Sequence, residues 1–510
     1  MMTKLRKIIL IPALSIVFIS GFFSCGVDRW PEYAHQTALD TWMLDIMQQN
    51  YLWYQDLPSY DDVNLFLDPA AFLSKVKSKS DSYSFVDSVM ETPLPTYGFD
   101  YSLVRSIDID TAYNALITYV IPGSPAEAAG LERGDWIMKV DTSYISKKYE
   151  TQLLQGTIAR NLVMGEWKEV PVIDEEEDKT KADTEGEGES GEDEIEYVYK
   201  VVPNGITKKL PAAQVVEDNP IHTTKILPAT ENNNEIKVGY LMYNSFTAGT
   251  KADPEKYNNE LRRVSQEFKT AGVKYVILDL RYNSGGSLDC VQLLGTILAS
   301  EERVEQNEPM AYLEYNDKNK DKDATINFDR EVLKGGTNLN LPGLFVITSS
   351  TTTGAPEMLI RSLYLKDSYP VVAIGGATKG QNVATEQFIN EEFLWSVNPV
   401  VCTVYDSNHD TYGSISPATD LKISETTING ITNYSEFLPF GNKDERLLKV
   451  AIGVIEGTYP PKKEEDTEET TKATFKIEKS VISPASRRFV GGGGLKLSLI
   501  HISEPTRRSY

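Results

Sequence analysis

From about Ile236 to Tyr459 the chain alternates short apolar runs with segments of helical period: "KVGYLMYN", "NNELRRVSQEFKTAG", "KYVILDLR", "LDCVQLLGTILAS", "GLFVITS", "EMLIRSLYL" and "PVVAIGG". Strands separated by helix-length segments cannot be joined by hairpins. The arrangement that connects them is a largely parallel sheet with crossover helices, an α/β architecture.

Upstream, the patterning changes twice. Between residues 25 and 90 apolar positions recur at helical spacing, as in "TALDTWMLDIMQQNYLWYQDLP" and "PAAFLSKVKS", which predicts a small helical unit with Tyr51, Leu52, Trp53 and Tyr54 in its core. Residues 91–205 read as a second unit, in which "NALITYVIPGSPAEAAGLERGDWIMKVD" gives a strand, a Pro-Gly turn, a short Ala-rich helix and a second strand. Inside it, residues 174–196 carry 13 acidic side chains against Lys179 and Lys181, a net of −11. Such a stretch cannot bury apolar surface, so a disordered insertion is expected. It lacks the ordered ligand spacing of a calcium loop. The third unit takes residues 206–460, and 461–490 read as a charged solvated tail. A chain of 510 residues accommodates several such domains.

The formal net charge is −23, and no Lys/Arg stripe is present, which argues against a nucleic-acid partner. At the N-terminus Lys4, Arg6 and Lys7 precede "IILIPALSIVFISGFF", so residues 1–24 read as an export signal. "FFSC" resembles a bacterial lipobox, which makes Cys25 the expected lipidation site; a plain cleaved signal or an uncleaved anchor is the alternative. Only Cys290 and Cys402 then remain, too few for a disulfide framework, and buried small hydrophobes are expected. At the other end, "LSLIHISEPTR" resembles the in-frame translation of a sequencing-library adapter, and residues 491–510 are read as foreign to the natural protein.

"GSPAEAAGLERGDWIMKVD" resembles a PDZ domain. In that family a glycine-containing loop before a strand offers backbone N–H groups to a peptide's terminal carboxylate. The resemblance places that role on Gly98, Phe99, Asp100 and Tyr101, with the charge of Asp100 an imperfect fit; a PDZ unit that merely packs on its neighbour is the alternative.

The series "VILDLRYNSGGSLD", "LFVITSSTTTGAPEMLI", "VVAIGGATKGQNVATEQF" and "FGNKDERLLKVAI" resembles the C-terminal processing, or tail-specific, serine peptidases. With the PDZ unit and the helical segment, the likeness spans nearly all of the mature chain and looks most like lipoprotein forms carried by Bacteroidetes. It implies a ClpP/crotonase-like mixed sheet-and-helix core. It also implies acyl transfer by a Ser and Lys dyad, in which a buried, neutral lysine takes the serine proton and backbone N–H groups hold the oxyanion. By the same carry-over, Gly285 or Gly286 and Ala355 inherit the oxyanion donors.

The dyad itself does not carry over. Counting back three from the helix-starting Glu357 lands on Gly354, where the family has its serine, and the lysine position falls on Gln381. Glycine supplies no nucleophile, and a glutamine amide accepts no proton near neutral pH. Thr353 and Ser350 are the displaced hydroxyls that could substitute, with Lys379 as base. The histidines His35, His222 and His409 lie in no motif and read as surface residues, and neither a metal nor a cofactor is indicated.

The expectation is therefore an exported, lipid-anchored protein of the cell envelope, of this peptidase fold with its dyad lost, that binds polypeptide C-termini or extended peptides. An active serine endopeptidase using Thr353 or Ser350 with Lys379, or an envelope scaffold, are the alternatives. The sequence leaves the oligomeric state open.

Overall fold

The computed structural model describes residues 30–89, 94–171, 197–428, 431–460 and 494–497. The export signal, Cys25, the acidic insertion, the charged tail and residues 498–510 lie outside the described residues.

The N-terminal unit packs helix α1 (Trp30–Asn50) against α2 (Pro69–Val76), followed by strand β1 (Phe85–Ser88). Pro69 opens α2, where a missing N–H costs nothing. Met43, Leu44, Met47, Tyr51, Phe72, Leu73 and Val76 form its core, and that core continues into Val383, Val397 and Val400 of the third unit. Tyr51 is buried as expected, and its hydroxyl donates to Asp81 Oδ2 at 2.8 Å.

The second unit is an antiparallel sheet in the order β2 (Phe99–Arg105), β3 (Tyr113–Val120), β4 (Trp136–Val140), β6 (Arg160–Pro171), β7 (Tyr197–Leu210), with β5 (Ser143–Tyr144) paired to β4. Two short helices, α3 (Pro125–Ala128) and α4 (Glu150–Leu154), complete it. Ser124 caps α3 by accepting from the Glu127 N–H at 3.2 Å.

In the third unit the expected parallel sheet is present. Its order is β15 (Val371–Gly375), β14 (Leu344–Thr348), β10 (Tyr275–Asp279), β9 (Asn234–Tyr243), β8 (Ile221–Glu231), parallel throughout except for the antiparallel β8–β9 hairpin. Strands β10 and β14 and the second half of β9 are buried on both faces, which explains why they read as unbroken apolar runs, whereas β8 is mostly half-buried or exposed. Leu241, Val276, Leu278, Leu344 and Val346 point into one core with α5 (Lys256–Ala271), α6 (Leu288–Leu298) and α8 (Ala355–Leu363). Tyr240, Ile277, Ile347 and Ile374 face Leu447, Leu448 and Ala451 of α9 (Arg446–Glu456) on the other side.

A second sheet, mixed in direction, covers the first core. It runs β11 (Gly285–Ser287), β22 (Gly494–Leu497), β16 (Val383–Glu386), β19 (Val400–Tyr405), β12 (Pro309–Tyr315), β13 (Ala324–Asn327), with the short α7 (Glu301–Glu305) before β12. Strands β17 (Phe388–Asn390) and β18 (Trp395–Asn398) join β1 in a three-stranded sheet, and β20 (Thr427–Ile428) and β21 (Ile431–Thr432) form a ribbon. Residues 494–497 fall inside the stretch read from the sequence as foreign, yet they form a strand inside this sheet.

An ionic cluster ties the second unit to the third. Arg281 is fully buried and pairs with Asp279 and Glu445, each at 2.7 Å, while Arg133 from the loop after α3 pairs with Glu425 at 3.1 Å and Glu445 at 3.7 Å. Arg133 also stacks 3.6 Å above the Phe437 ring. Among the described residues, Cys290 and Cys402 are both buried and outside any disulfide.

Candidate functional site

The strand β14 runs into helix α8 through Ser349 to Gly354, and the turn ends on a backbone that side chains resist. Gly354 has φ +71° and ψ −102°. A sharp, strained strand-to-helix turn of this kind is what displays a nucleophile in hydrolases. Here the turn is retained at a glycine.

What fixes this turn is Glu357, which is 0% exposed. Its Oε2 accepts the Gly354 N–H at 2.8 Å, the reciprocal half of a capping box. The same oxygen accepts the Gln381 N–H at 2.9 Å, and Oε1 accepts from the Gly380 N–H and the Thr378 hydroxyl, both at 2.5 Å. One carboxylate therefore locks the Gly354 turn against the Thr378–Gln381 loop. Burial pushes its pKa up, and the Thr378 hydroxyl and the three backbone donors oppose that rise. The sequence shows Glu357 as the start of a helix; its grip on residues 378–381 depends on contacts more than twenty positions away, which no local pattern reports.

The third side of the site is the loop after β10. Asn283 Nδ2 donates to the Tyr243 carbonyl at 2.9 Å, its Oδ1 accepts the Gly285 N–H at 3.0 Å, and its carbonyl accepts the Thr353 N–H at 3.2 Å. Gly285 and Gly286 have φ of +126° and +135°, and side chains there would collide with backbone: a Cβ on Gly285 would lie 2.0 Å from Gly494 O, one on Gly286 2.2 Å from Phe246 O. Both glycines are needed because chain passes on both sides. The Gly285 N–H, expected as an oxyanion donor, is engaged by Asn283.

Gly354 and Gln381 meet at one point, the peptide bond between Gly494 and Leu495. A Cβ on Gly354 would lie 2.4 Å from Leu495 N and 2.5 Å from the Gly494 carbonyl carbon, and a Cβ on Gly494 would lie 2.5 Å from Gln381 Nε2. Gln381 is buried and donates to the Val383 carbonyl at 3.0 Å. Ala355, behind Gly354, is buried at the start of α8.

The displaced candidates sit elsewhere. Ser350 and Lys379 are exposed, so the burial on which a lysine base relies is missing at Lys379. The Lys379 N–H donates to the Thr352 carbonyl at 3.0 Å, and Thr353 is half-buried. No group of three or more His, Cys, Asp or Glu that could hold a metal ion occurs among the described residues. His409 is exposed, as expected, and its Nε2 lies 3.0 Å from Glu314 Oε1. His222 differs from its expectation as a surface residue: it is half-buried against Tyr119, rings 4.4 Å apart, with Nε2 3.0 Å from the Val120 carbonyl. An aromatic partner five strands earlier in the chain could not be read from its neighbours in sequence.

In the second unit, β2 is the edge strand of its sheet. Gly98, at φ +81°, packs on Ser124; its N–H donates to Thr96 Oγ1 at 3.1 Å and its carbonyl accepts from Ile121 N–H at 2.8 Å. Phe99 and Tyr101 are buried, Asp100 half-buried. The Tyr101 hydroxyl donates to Glu150 Oε1 at 2.7 Å and accepts from Gln155 Nε2 at 2.8 Å, bridging β2 to α4. The groove beside the expected carboxylate loop is thus crossed by a side-chain link.

Family comparisons agree with this architecture. The family model described as peptidase family S41 matches residues 237–398, that of the peptidase S41 N-terminal domain residues 38–85, and that of the PDZ domain residues 116–164. A crystal structure from Bacteroides fragilis, assigned to the S41 proteases, is 39% identical, covers 82% of this chain and 97% of its own, and superposes with a TM-score of 0.70. A photosystem II D1 C-terminal processing protease is 16% identical over 76% of this chain and 93% of its own, at a TM-score of 0.40. No curated protein matches the chain. On the identity and coverage of the Bacteroides fragilis structure, and on the three matched domains, the chain belongs to peptidase family S41.

Proposed function

We propose that this member of the family binds extended polypeptide in its cleft and does not cut it. The supporting observation is the meeting of Gly354 and Gln381 on a single peptide bond: the two positions that would hold a nucleophile and its base carry a hydrogen atom and an amide. Loss of a nucleophile or base in a dyad or triad protease costs on the order of 10⁶ in turnover. Oxyanion contacts and binding alone leave a small remainder.

The cleft is built for chain of this kind. Strands β11 and β16 each turn an edge toward the slot between them, and backbone pairing there gives affinity without chemistry. The PDZ unit is a second candidate for binding peptide termini at Gly98 to Tyr101, and the Tyr101–Glu150 link must open for it to act. In the cell the protein is proposed to be an envelope lipoprotein held through Cys25, a reading that rests on the leader sequence alone. No helix among the described residues is long and apolar enough to cross a membrane.

The test is paired. Peptide mixtures incubated with the purified chain are followed by mass spectrometry for new termini and by equilibrium binding for capture. Binding without new termini is expected; new termini whose formation stops on Thr353→Ala or Ser350→Ala would establish the endopeptidase instead.

A further inference from the structure

We infer that the slot between β11 and β16 selects its occupant by sequence: a glycine over Gly354, then a large aliphatic residue. The inference rests on the peptide-binding reading above and specifies the peptide. Its evidence is the segment Gly494–Leu497, "GLKL", which lies in the slot. Whatever the source of that segment, its contacts report what the slot requires.

The backbone is held from both sides. Gly494, Leu495 and Lys496 pair in parallel with Gly285, Gly286 and Ser287, and Leu495, Lys496 and Leu497 pair in parallel with Ala384, Thr385 and Glu386. The Gly494 N–H donates to the Ser284 carbonyl at 2.5 Å, and Thr385 Oγ1 donates to the Leu495 carbonyl at 3.3 Å. Such pairing carries no sequence information.

Two features do. At the first position φ is +120°, a conformation that side chains resist, and a Cβ would also press within 2.5–2.9 Å on the buried amide end of Gln381, so glycine is favoured. At the second, Leu495 is 1% exposed and merges with the core shared by α6 and α8, where a polar side chain has no partner. At the third, the Lys496 ammonium lies 5.4 Å from the centroid of the Phe85 ring, and burial lowers its pKa against the opposing pull of Asp87, so this position does not select for charge.

Gly354 belongs to this selection. A side chain at 354 would strike the backbone of residues 494 and 495 within 2.4–2.6 Å, so the slot passes an unbroken strand because the nucleophile position is empty.

The experiment uses the full chain and a fluorescent peptide, acetyl-GGGGLKLS-amide. Two variants, Leu495→Asp and Gly494→Ile, expel the resident segment by different means, and each is checked for wild-type thermal unfolding. The labelled peptide is expected to bind the vacated variant at least tenfold more tightly than the wild type, where it must displace a tethered competitor. On the vacated variant, Gly→Ala and Leu→Asp changes in the peptide are each expected to weaken binding at least fivefold. Equal binding of all these peptides overturns the sequence preference and leaves the peptide-binding reading intact; absence of binding by both vacated variants overturns both.

Discussion

Gly354 lies so close to Gly494 that a single added carbon would stand 2.5 Å from the Gly494 carbonyl carbon. A hydroxyl-bearing residue at 354 and a resident strand at 494–497 are thus mutually exclusive in this arrangement. Gly354→Ser should therefore loosen the strand, by collision and by the cost of a side chain at φ +71°. Amide exchange at residues 494–497 is expected to accelerate about tenfold or more in hydrogen-exchange mass spectrometry, with the rates of β10 and β14 unchanged. Unaltered exchange at 494–497 would contradict it.

Glu357 should matter more to the fold than its place at a helix start suggests. Replacing it by Ala leaves the Gly354, Gly380 and Gln381 N–H groups and the Thr378 hydroxyl without their acceptor in a buried site. A loss of about 2–5 kcal/mol in denaturant unfolding is expected, with Glu357→Gln intermediate because an amide keeps one acceptor oxygen.

The buried guanidinium of Arg281 faces Asp279 and Glu445 at 2.7 Å each. Arg281→Met strands these carboxylates and should cost about 3–5 kcal/mol, the scale for breaking a buried pair from one side. Arg133→Ala removes a partner of Glu425 and Glu445 that comes from the second unit, so a smaller loss and faster proteolysis between the units are expected.

Asp40 supplies a pH signature. It is buried in α1, its Oδ2 meets no donor among the described residues, and burial first, with Asp68 adding, raises its pKa from 3.8 to about 6. A raised folded pKa means that the folded protein binds the proton more tightly than the unfolded chain. Its contribution is complete below about pH 4 and is lost as pH rises through about 6. Asp40→Asn should leave stability at pH 4 unchanged and raise it at pH 8 by on the order of 2–3 kcal/mol, measured by thermal unfolding across that range.

The parallel sheet was legible because β9, β10 and β14 are buried on both faces over most of their length and write that burial into the sequence as apolar runs. The second sheet was not. Its strands β11 and β16 are three and four residues long, too short to show a period, and β22 arrives from the far end of the chain. At the site, the sequence located Gly354 and Gln381 by register within two turns. Their common contact at Gly494, the four donors to Glu357 and the Asp87 charge beside Lys496 all join residues distant in sequence, where spacing carries no information. The Tyr101–Glu150 link across the expected carboxylate groove is of the same kind, 49 positions apart.

The central claim, that this cleft holds peptide without an attacking group, is tested most directly by labelling the purified chain with a fluorophosphonate probe. No covalent adduct is expected on any hydroxyl of residues 349–353, at probe concentrations that saturate an active serine peptidase in parallel. A stoichiometric adduct on Thr353 or Ser350, lost on the matching alanine variant, would contradict the account.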